Sequence, residues 1–385
     1  MIYLDYSATT PCAPQVLTAM TPYFCNRFGN PSSSHAYSRE ARAAVEKARE
    51  HLAEFIGCSP GEIVFTSRAT ESNDLIFSSL LLDMNEKRRK IAVSAIEHKS
   101  VLLPAKNLGN RGFNLTLLPV TSKEIVDVDT TRELIKENNA LVSVHTANNE
   151  IGTIHPINEL ADIAHRVGAK FHSDAAQVLG KMSSDLQYVD CVLTSFSSHK
   201  IYGPKGIGAL YIRGGTSNWT WDYILYGGGQ ESGIRPGTHN VSAIVGFGEA
   251  SYIMNHNRVH FLSKLLSFTQ DFENMLTIQN RHYLVYCQDS RRICGLSSIY
   301  LNMPKDDLVM ESIADIAVSK SSACNSSSLQ KSHVIQAINS DSTLSDRTIR
   351  VSFGLESDEY NVTELVSKLI NSIQIINKGS TMEEW

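Results

Sequence analysis

Lys200 ends the run Ser197-Ser198-His199-Lys200, just after a short apolar segment at Cys191–Thr194. An amine held at a strand end can condense with the aldehyde of a cofactor to form a Schiff base. A solvated surface lysine is the ordinary alternative, and the neighbouring sequence must decide between them. Cys324 poses a similar choice. It stands in Ser319-Lys320-Ser321-Ser322-Ala323-Cys324-Asn325-Ser326-Ser327-Ser328, where small polar side chains flank one thiol. A structural cysteine belongs on an apolar face, and burying this segment would remove little apolar surface from water. A reactive thiol needs access and a populated thiolate, and such a composition suits movement. The remaining cysteines, Cys12, Cys25, Cys58, Cys191, Cys287 and Cys294, are scattered without a Cys-x-x-Cys pair. Neither a disulfide framework nor a metal site is expected from them.

The elements that must position these residues alternate. Ala36 to Gly57 has the periodicity of a long helix with a glycine stop. Ile63–Thr66 is a short apolar strand that runs into Ser67-Arg68-Ala69-Thr70-Glu71-Ser72-Asn73 and then a helical stretch. Further strands are expected at Ile91–Ser94, Leu141–Val144, Lys170–Ser173, Cys191–Thr194 and Gly208–Ile212, with a helix at Asn158–Val167. This alternation predicts an α/β sheet with helices on both faces, and polar residues gather where strands end, the place where such sheets bind ligands. A long helix at Asn257–Met275 and strands at Ser298–Leu301 and Thr348–Ser352 read as a smaller α+β domain. The expected division is a large domain at 17–257 and a small one formed by 1–16 and 258–385, the latter carrying the Cys324 loop at about 319–330.

After Lys200 come Ile201-Tyr202-Gly203-Pro204-Lys205-Gly206-Ile207-Gly208. Together with Tyr3 to Pro11, Phe28-Gly29-Asn30-Pro31-Ser32-Ser33, Phe65 to Asn73, Glu97-His98-Lys99, Asn148-Asn149-Glu150-Ile151-Gly152, Asp174-Ala175-Ala176-Gln177 and Ser322-Ala323-Cys324, these residues span almost the whole chain. In that order they resemble the class V aminotransferase family of pyridoxal-phosphate enzymes, most closely the cysteine desulfurases of the NifS/IscS type. The resemblance implies the type I fold of pyridoxal-phosphate transferases. It also implies conversion of L-cysteine to L-alanine, with the sulfur carried as a persulfide on Cys324 to an acceptor protein.

The resemblance gives each motif a role. Lys200 would carry pyridoxal phosphate and remove the substrate α proton. Asp174 would pair with the ring nitrogen and keep it protonated, although Asp at a strand end is also a common helix cap. Gln177, in the same turn, would reach the phenolic oxygen. His98 would stack on the ring and shuttle protons, tasks that suit imidazole. Ala69, Thr70, Ser197 and His199 match the phosphate cup. Thr238 matches a phosphate-site residue supplied by the second subunit, which implies a homodimer. Arg350 would grip the substrate carboxylate with two parallel hydrogen bonds, assisted by Asn149.

Three residues depart from the family pattern. Arg68 and Ser198 stand where glycine is usual, and Pro236 where serine is usual. Arg68 is expected to face solvent, since most arginines are exposed. The chain ends at Trp385, short of the tail with which IscS-type enzymes dock an iron–sulfur scaffold, so that contact lacks support. The acceptor pathways left open are cluster assembly, RNA thiolation and phosphorothioate modification of DNA. A selenocysteine lyase or another class V enzyme is the nearest alternative, and a non-catalytic partner-binding scaffold is a more distant one.

Composition sets outer bounds. With 385 residues, 42% hydrophobic and 19% charged, the chain has ordinary globular character, and its length favours two domains. A net charge of −5 disfavours direct nucleic-acid binding. No apolar run approaches the roughly 20 residues that span a bilayer. The opening Met1-Ile2-Tyr3-Leu4-Asp5 lacks a secretory pattern, so a cytoplasmic location is expected.

Overall fold

The structure is a computed structural model that describes residues 1–83, 88–182, 191–279, 283–301, 306–320, 331–339 and 342–380. The chain opens with β1 (Ile2–Tyr3) and reaches the central sheet after the long helix Ala36–Ile56. That helix ends at Gly57, whose φ of 69° supplies the left-handed cap that a side chain would resist. The central sheet then takes up β2 (Ile63–Thr66), β3 (Lys90–Ser94), β4 (Asn114–Leu118), β5 (Asn139–Ser143), β6 (Lys170–Asp174), β7 (Leu193–Ser197) and β8 (Gly208–Ile212). Their spatial order is β2-β8-β7-β6-β5-β3-β4. The run from β7 to β4 is parallel, whereas β8 is antiparallel to both of its neighbours.

This is the α/β class expected from the sequence. Because β2, β3, β5, β6 and β7 point the same way, their carboxyl ends share one edge of the sheet. Every residue of β2, β5, β7 and β8 is buried, which accounts for their continuous apolar or small-residue sequences. The edge strand β4 was not evident in the sequence. It keeps only Leu118 fully buried and so lacks a core-strand pattern.

A second sheet follows, built from β9 (Tyr283–Val285), β10 (Leu296–Leu301), β12 (Ser319–Lys320) and β13 (Thr348–Ser352) in the antiparallel order β12-β13-β10-β9. Strand β11 (Ile316–Ala317) instead pairs in parallel with β1, and Asp5 bridges to Ser352 on β13. The N-terminal segment is thereby pinned to the C-terminal sheet before it crosses to the central one.

The helix expected at Asn257–Met275 is longer. It begins at Val241, ends at Gln279 and runs unbroken past position 257. Gly246 and Gly248 near its start weaken a helix signal read from sequence. Here packing requires them. A Cβ on Gly248 would lie 2.4 Å from Ala48 Cα, and one on Gly246 would lie 2.5 Å from Met20 Sδ. The two long helices therefore meet backbone to backbone. Gly248→Ala should lower stability by about 1–3 kcal/mol by forcing them apart. Urea unfolding checks this, and an unchanged midpoint would contradict the close approach.

Candidate active site

A cavity of about 400 Å³ opens at the shared edge of the strands. Ala69, Thr70, His98, Asn149, Asp174, Gln177, Ser197, His199, Lys200 and Arg350 all line it, so the structure brings together ten residues singled out from sequence. Most of them follow directly from strand ends. Asp174 closes β6, Ser197 closes β7, and Lys200 ends the single 3-10 turn after β7. His98 follows β3, and Ala69 opens the helix Ala69–Leu82 after β2. Arg350 comes from β13 of the other sheet.

Asp174 is buried, and each of its carboxylate oxygens accepts one hydrogen bond. Its Oδ1 accepts from the Ala176 N–H at 3.0 Å, and its Oδ2 accepts from Asn73 Nδ2 at 2.8 Å. Asn73 Nδ2 also donates to Ser100 Oγ at 2.9 Å, and Ser100 Oγ lies 2.7 Å from His98 Nδ1. The Ser100 backbone N–H donates to the same nitrogen, which places the proton of the neutral ring on Nε2. Burial lowers the His98 pKa, partly opposed by the Asp174 charge. A hydrogen-bond chain thus joins a carboxylate to a neutral imidazole across the cavity.

At the other end, the N-terminus of the Ala69 helix offers its positive dipole end. Ser197 Oγ accepts from the Ala69 N–H at 2.8 Å. His199 Nδ1 lies 3.1 Å from Thr9 Oγ1, and its pKa falls to about 4 because of burial, reinforced by Lys200 and other nearby cations. Lys200 Nζ donates to the carbonyl oxygens of Ser7 and Ala8 at 2.6 and 2.8 Å. Arg350 Nη2 donates to Asp5 Oδ1 at 2.8 Å and Ser319 Oγ at 3.1 Å, while Nη1 donates to the Asn149 carbonyl at 2.8 Å. Arg350 Nε is buried with no partner among the described residues.

Two expected site residues stand apart. Thr238 is exposed and does not line this cavity. Its segment is nevertheless held firmly, because the buried Glu231 pairs with Arg49 at 2.8 Å and His239 at 2.7 Å. Cys324, with most of its loop, lies outside the described residues; Ser319 and Lys320 at the loop's start form β12. None of the six described cysteines lines the cavity.

The departures have local accounts. Ser198 fits because Gly203 leaves room for it; a Cβ on Gly203 would meet Ser198 Oγ at 1.9 Å. Arg68 has an extended backbone, φ 177°, that any residue adopts. Its side chain is exposed, as expected, yet it also lines the cavity. Pro236 packs beside Gly227, where a Cβ would come within 2.9 Å.

Sequence reasoning assigned no role to Asp5, Ser7, Asn73, Ser100, His145 or Lys181, all of which shape the cavity or its walls. His145 lines it, with Nδ1 3.3 Å from the buried Glu97 Oε2 and Nε2 2.8 Å from His155 Nε2. The one sequence signal for Lys181 is its position four residues after Gln177.

The donor set suits pyridoxal phosphate: an amine at Lys200, a fixed carboxylate at Asp174, a neutral imidazole at His98 and a helix N-terminus with hydroxyls at the far end. The aminotransferase class-V family matches residues 2–365. The chain belongs to this family. Cysteine desulfurase IscS of Dictyoglomus turgidum is 36% identical over 100% of this chain and 98% of its own. A solved NifS-like protein superposes with a TM-score of 0.89 at 31% identity, covering 97% of this chain and 99% of its own. SspA, solved in complex with cysteine, superposes with a TM-score of 0.82 at 34% identity, covering 92% and 99%. As a class V enzyme of the cysteine desulfurase branch, the protein has the type I pyridoxal-phosphate fold and uses pyridoxal phosphate. Among the described residues, no helix is long and apolar enough to cross a membrane.

Next to Asn149 on the cavity wall, Glu150 is buried and its Oε2 accepts from Ser332 Oγ at 2.5 Å. Burial raises its pKa from 4.5 to about 7, against the Ser332 bond and the Arg350 charge. The folded chain then holds a proton that the unfolded chain releases, so stability falls as pH rises from about 4.5 to 7. Glu150→Gln removes that loss while keeping an acceptor for Ser332. Relative to the variant, the natural protein should lose on the order of 1–3 kcal/mol between pH 5 and 8. Parallel thermal melts measure this; a pH-independent difference would contradict it.

Proposed function

We propose that this chain removes sulfur from L-cysteine, releases L-alanine and passes the sulfur through a persulfide on Cys324 to an acceptor protein. The observation that carries the reading is the gathering of Lys200, Asp174, His98 and Arg350 around one cavity beside a helix N-terminus. A non-catalytic scaffold would have no need of that set, and an aminotransferase would have no need of Cys324.

When bound, pyridoxal phosphate supplies an aldehyde for an amine and a ring that spreads the electron pair left at the substrate Cα. Lys200 Nζ is the amine that would hold it, with Asp174 at the ring nitrogen, Gln177 at the phenolic oxygen and Ala69, Thr70, Ser197 and His199 around the phosphate. Lys200 Nζ is also the amine that would take the substrate α proton. Arg350 fixes the carboxylate, and its unpartnered Nε is a donor suited to that task. His98, neutral with its proton on Nε2, would lie against the ring and present that N–H as a hydrogen-bond donor on the cavity side.

The Cys324 thiolate then attacks the substrate sulfur. An S–S bond forms, the Cβ–S bond breaks, and the carbon is protonated on the way to L-alanine. Support for Cys324 comes from its polar surroundings in sequence and from the described thiols, none of which reaches the cavity. Burial raises Cys12, Cys58 and Cys294, so their thiolates are scarce.

The reading extends to assembly. Thr238, exposed and away from its own cavity, would complete the phosphate site of a second copy in a homodimer. The large domain would span 17–257, with 1–16 and 258–385 forming the smaller one. The enzyme would work in the cytoplasm and deliver sulfur for iron–sulfur cluster assembly, RNA thiolation or DNA phosphorothioation, without itself contacting nucleic acid. Its substrate can extend to selenocysteine, the chemistry being the same.

Two variants test the reading. Lys200→Ala should lose both covalent cofactor attachment and alanine production; normal turnover would sink it. Cys324→Ser should keep the cofactor's visible absorbance and lose the persulfide, because a hydroxyl is a poor nucleophile toward sulfur. Mass spectrometry after L-cysteine, without reductant, locates the added sulfur. Finding it on another cysteine, with Cys324 unmodified, would overturn the assignment.

A further inference from the structure

One buried titratable side chain beside the cavity has no part in the chemistry above. Lys181 is 4% exposed, and its Nζ makes two hydrogen bonds, to Gln177 Oε1 at 3.0 Å and to Ser7 Oγ at 3.0 Å. Its backbone is fixed as well, with the N–H donating to the Val178 carbonyl and the carbonyl accepting from the Cys294 N–H. Nζ makes no ion pair with a carboxylate among the described residues, and Asp5 is committed to Arg350. Burial lowers the Lys181 pKa well below the ordinary range, with further lowering by Lys200 and Arg350. A neutral amine has two N–H donors, matching the two acceptors present.

The amide of Gln177 is fixed by unambiguous partners. The Lys181 nitrogen, whose two N–H groups are directed at Gln177 Oε1 and Ser7 Oγ, favours oxygen there. On the other side, Nε2 donates to the Ser7 carbonyl at 2.9 Å, and a carbonyl oxygen can only accept. The two contacts hold one amide orientation and exclude the flipped one, in which nitrogen would face nitrogen and oxygen would face oxygen. Nε2 keeps a second N–H, and Gln177 lines the cavity. An amide locked this way offers a donor to an acceptor oxygen in the cavity.

We propose that Lys181 is a positioning residue that locks the Gln177 amide so that it donates, and so favours the deprotonated phenolic oxygen of the bound cofactor. The inference rests on the reading of Gln177 given under Proposed function. Lys181 acts here as a hydrogen-bond donor; its charge is not required.

A donor to a charged oxygen lowers that oxygen's pKa, and its loss raises it. The measurement is a pH titration of the visible absorbance of the holoenzyme. Gln177→Ala should raise the apparent pKa by about 1 unit, the worth of a hydrogen bond to a charged group. Lys181→Met should raise it by a smaller amount, since Oε1 loses its donor and the amide is then held by the Ser7 carbonyl alone. The double variant should match Gln177→Ala, because Lys181 acts only through that amide. Lys181→Gln keeps a donor near Oε1 without a cationic group and should titrate like the natural enzyme.

The outcomes separate the two readings. If Gln177→Ala leaves the titration unmoved, the placement of Gln177 at the phenolic oxygen fails, and this inference fails with it. If Gln177→Ala shifts the titration and Lys181→Met does not, only the role of Lys181 falls. A Lys181→Gln shift as large as that of Gln177→Ala, or additive shifts in the double variant, would assign Lys181 a direct charge effect and overturn the proposal. Where Lys181→Met gives no folded holoenzyme, Lys181→Leu, which likewise removes the donor to Oε1, is titrated in its place, and an unmoved titration there overturns the proposal.

Discussion

The carbonyl oxygen of Ser7 accepts from Lys200 Nζ at 2.6 Å and from Gln177 Nε2 at 2.9 Å. The same residue's hydroxyl accepts from Lys181, and its N–H donates to Ser352 Oγ at 2.8 Å. Much of the cavity depends on this one backbone unit. Residues near it extend the pattern: Asp5 holds Arg350, while Thr9 and Thr10 reach His199 through side chain and backbone. An N-terminal strap therefore sets the positions of groups that arrive from β6, β7 and β13. It does so from both sheets at once, because Asp5 bridges to Ser352 on β13 while Thr10 bonds the turn after β7.

The strap also addresses an electrostatic difficulty. Lys200, Lys181 and Arg350 crowd one low-dielectric region with few carboxylates. Arg350 is balanced by Asp5, with both side chains largely shielded from water. Lys200 is met by carbonyl dipoles, and Lys181 is driven toward its neutral form by burial and its cationic neighbours. The imidazoles follow the same rule. Burial disfavours the charged forms of His98 and His199, and nearby cations add to the effect. Neutral histidines beside a helix N-terminus leave the positive potential there to the backbone and the permanent cations, where a phosphate would be met.

Behind the wall, a buried array supports the loop that carries His98. The Val126 N–H donates to His155 Nδ1, which places the His155 proton on Nε2, facing His145 Nε2 at 2.8 Å. His145 is then the acceptor at that nitrogen and directs its own proton at Nδ1 toward Glu97. The Glu97 carboxylate also accepts the His145 backbone N–H, and the Glu97 carbonyl accepts from His333. The tautomers of His155 and His145 both follow from one backbone donor. The residue before His98 is thus held on several sides, which limits the freedom of the imidazole that follows it.

Local sequence was enough for the elements and for most of the chemistry. Buried strands such as Ile63–Thr66 and Gly208–Ile212 are marked by composition alone, because a strand covered on both faces must be apolar or small throughout. Strand ends marked Asp174, Ser197 and Lys200 for the same reason: polar residues break an apolar run where the sheet edge meets the ligand. The motif order identified the family before any contact was known. Tertiary structure decided the rest. The helix from Val241 carries glycines that lower its local signal, and only the approach of Ala48 explains them. Strand β4 is half-exposed and has no pattern to read. Asp5, Ser7 and Asn73 lie inside family motifs and Lys181 four residues past Gln177, yet nothing local marks what each does, since their roles lie in partners distant in the chain, such as Ser7 to Lys181 across 174 residues. A short peptide segment specifies its own backbone preferences; which donor meets which acceptor is fixed only when the fold buries both and leaves them no water to bond.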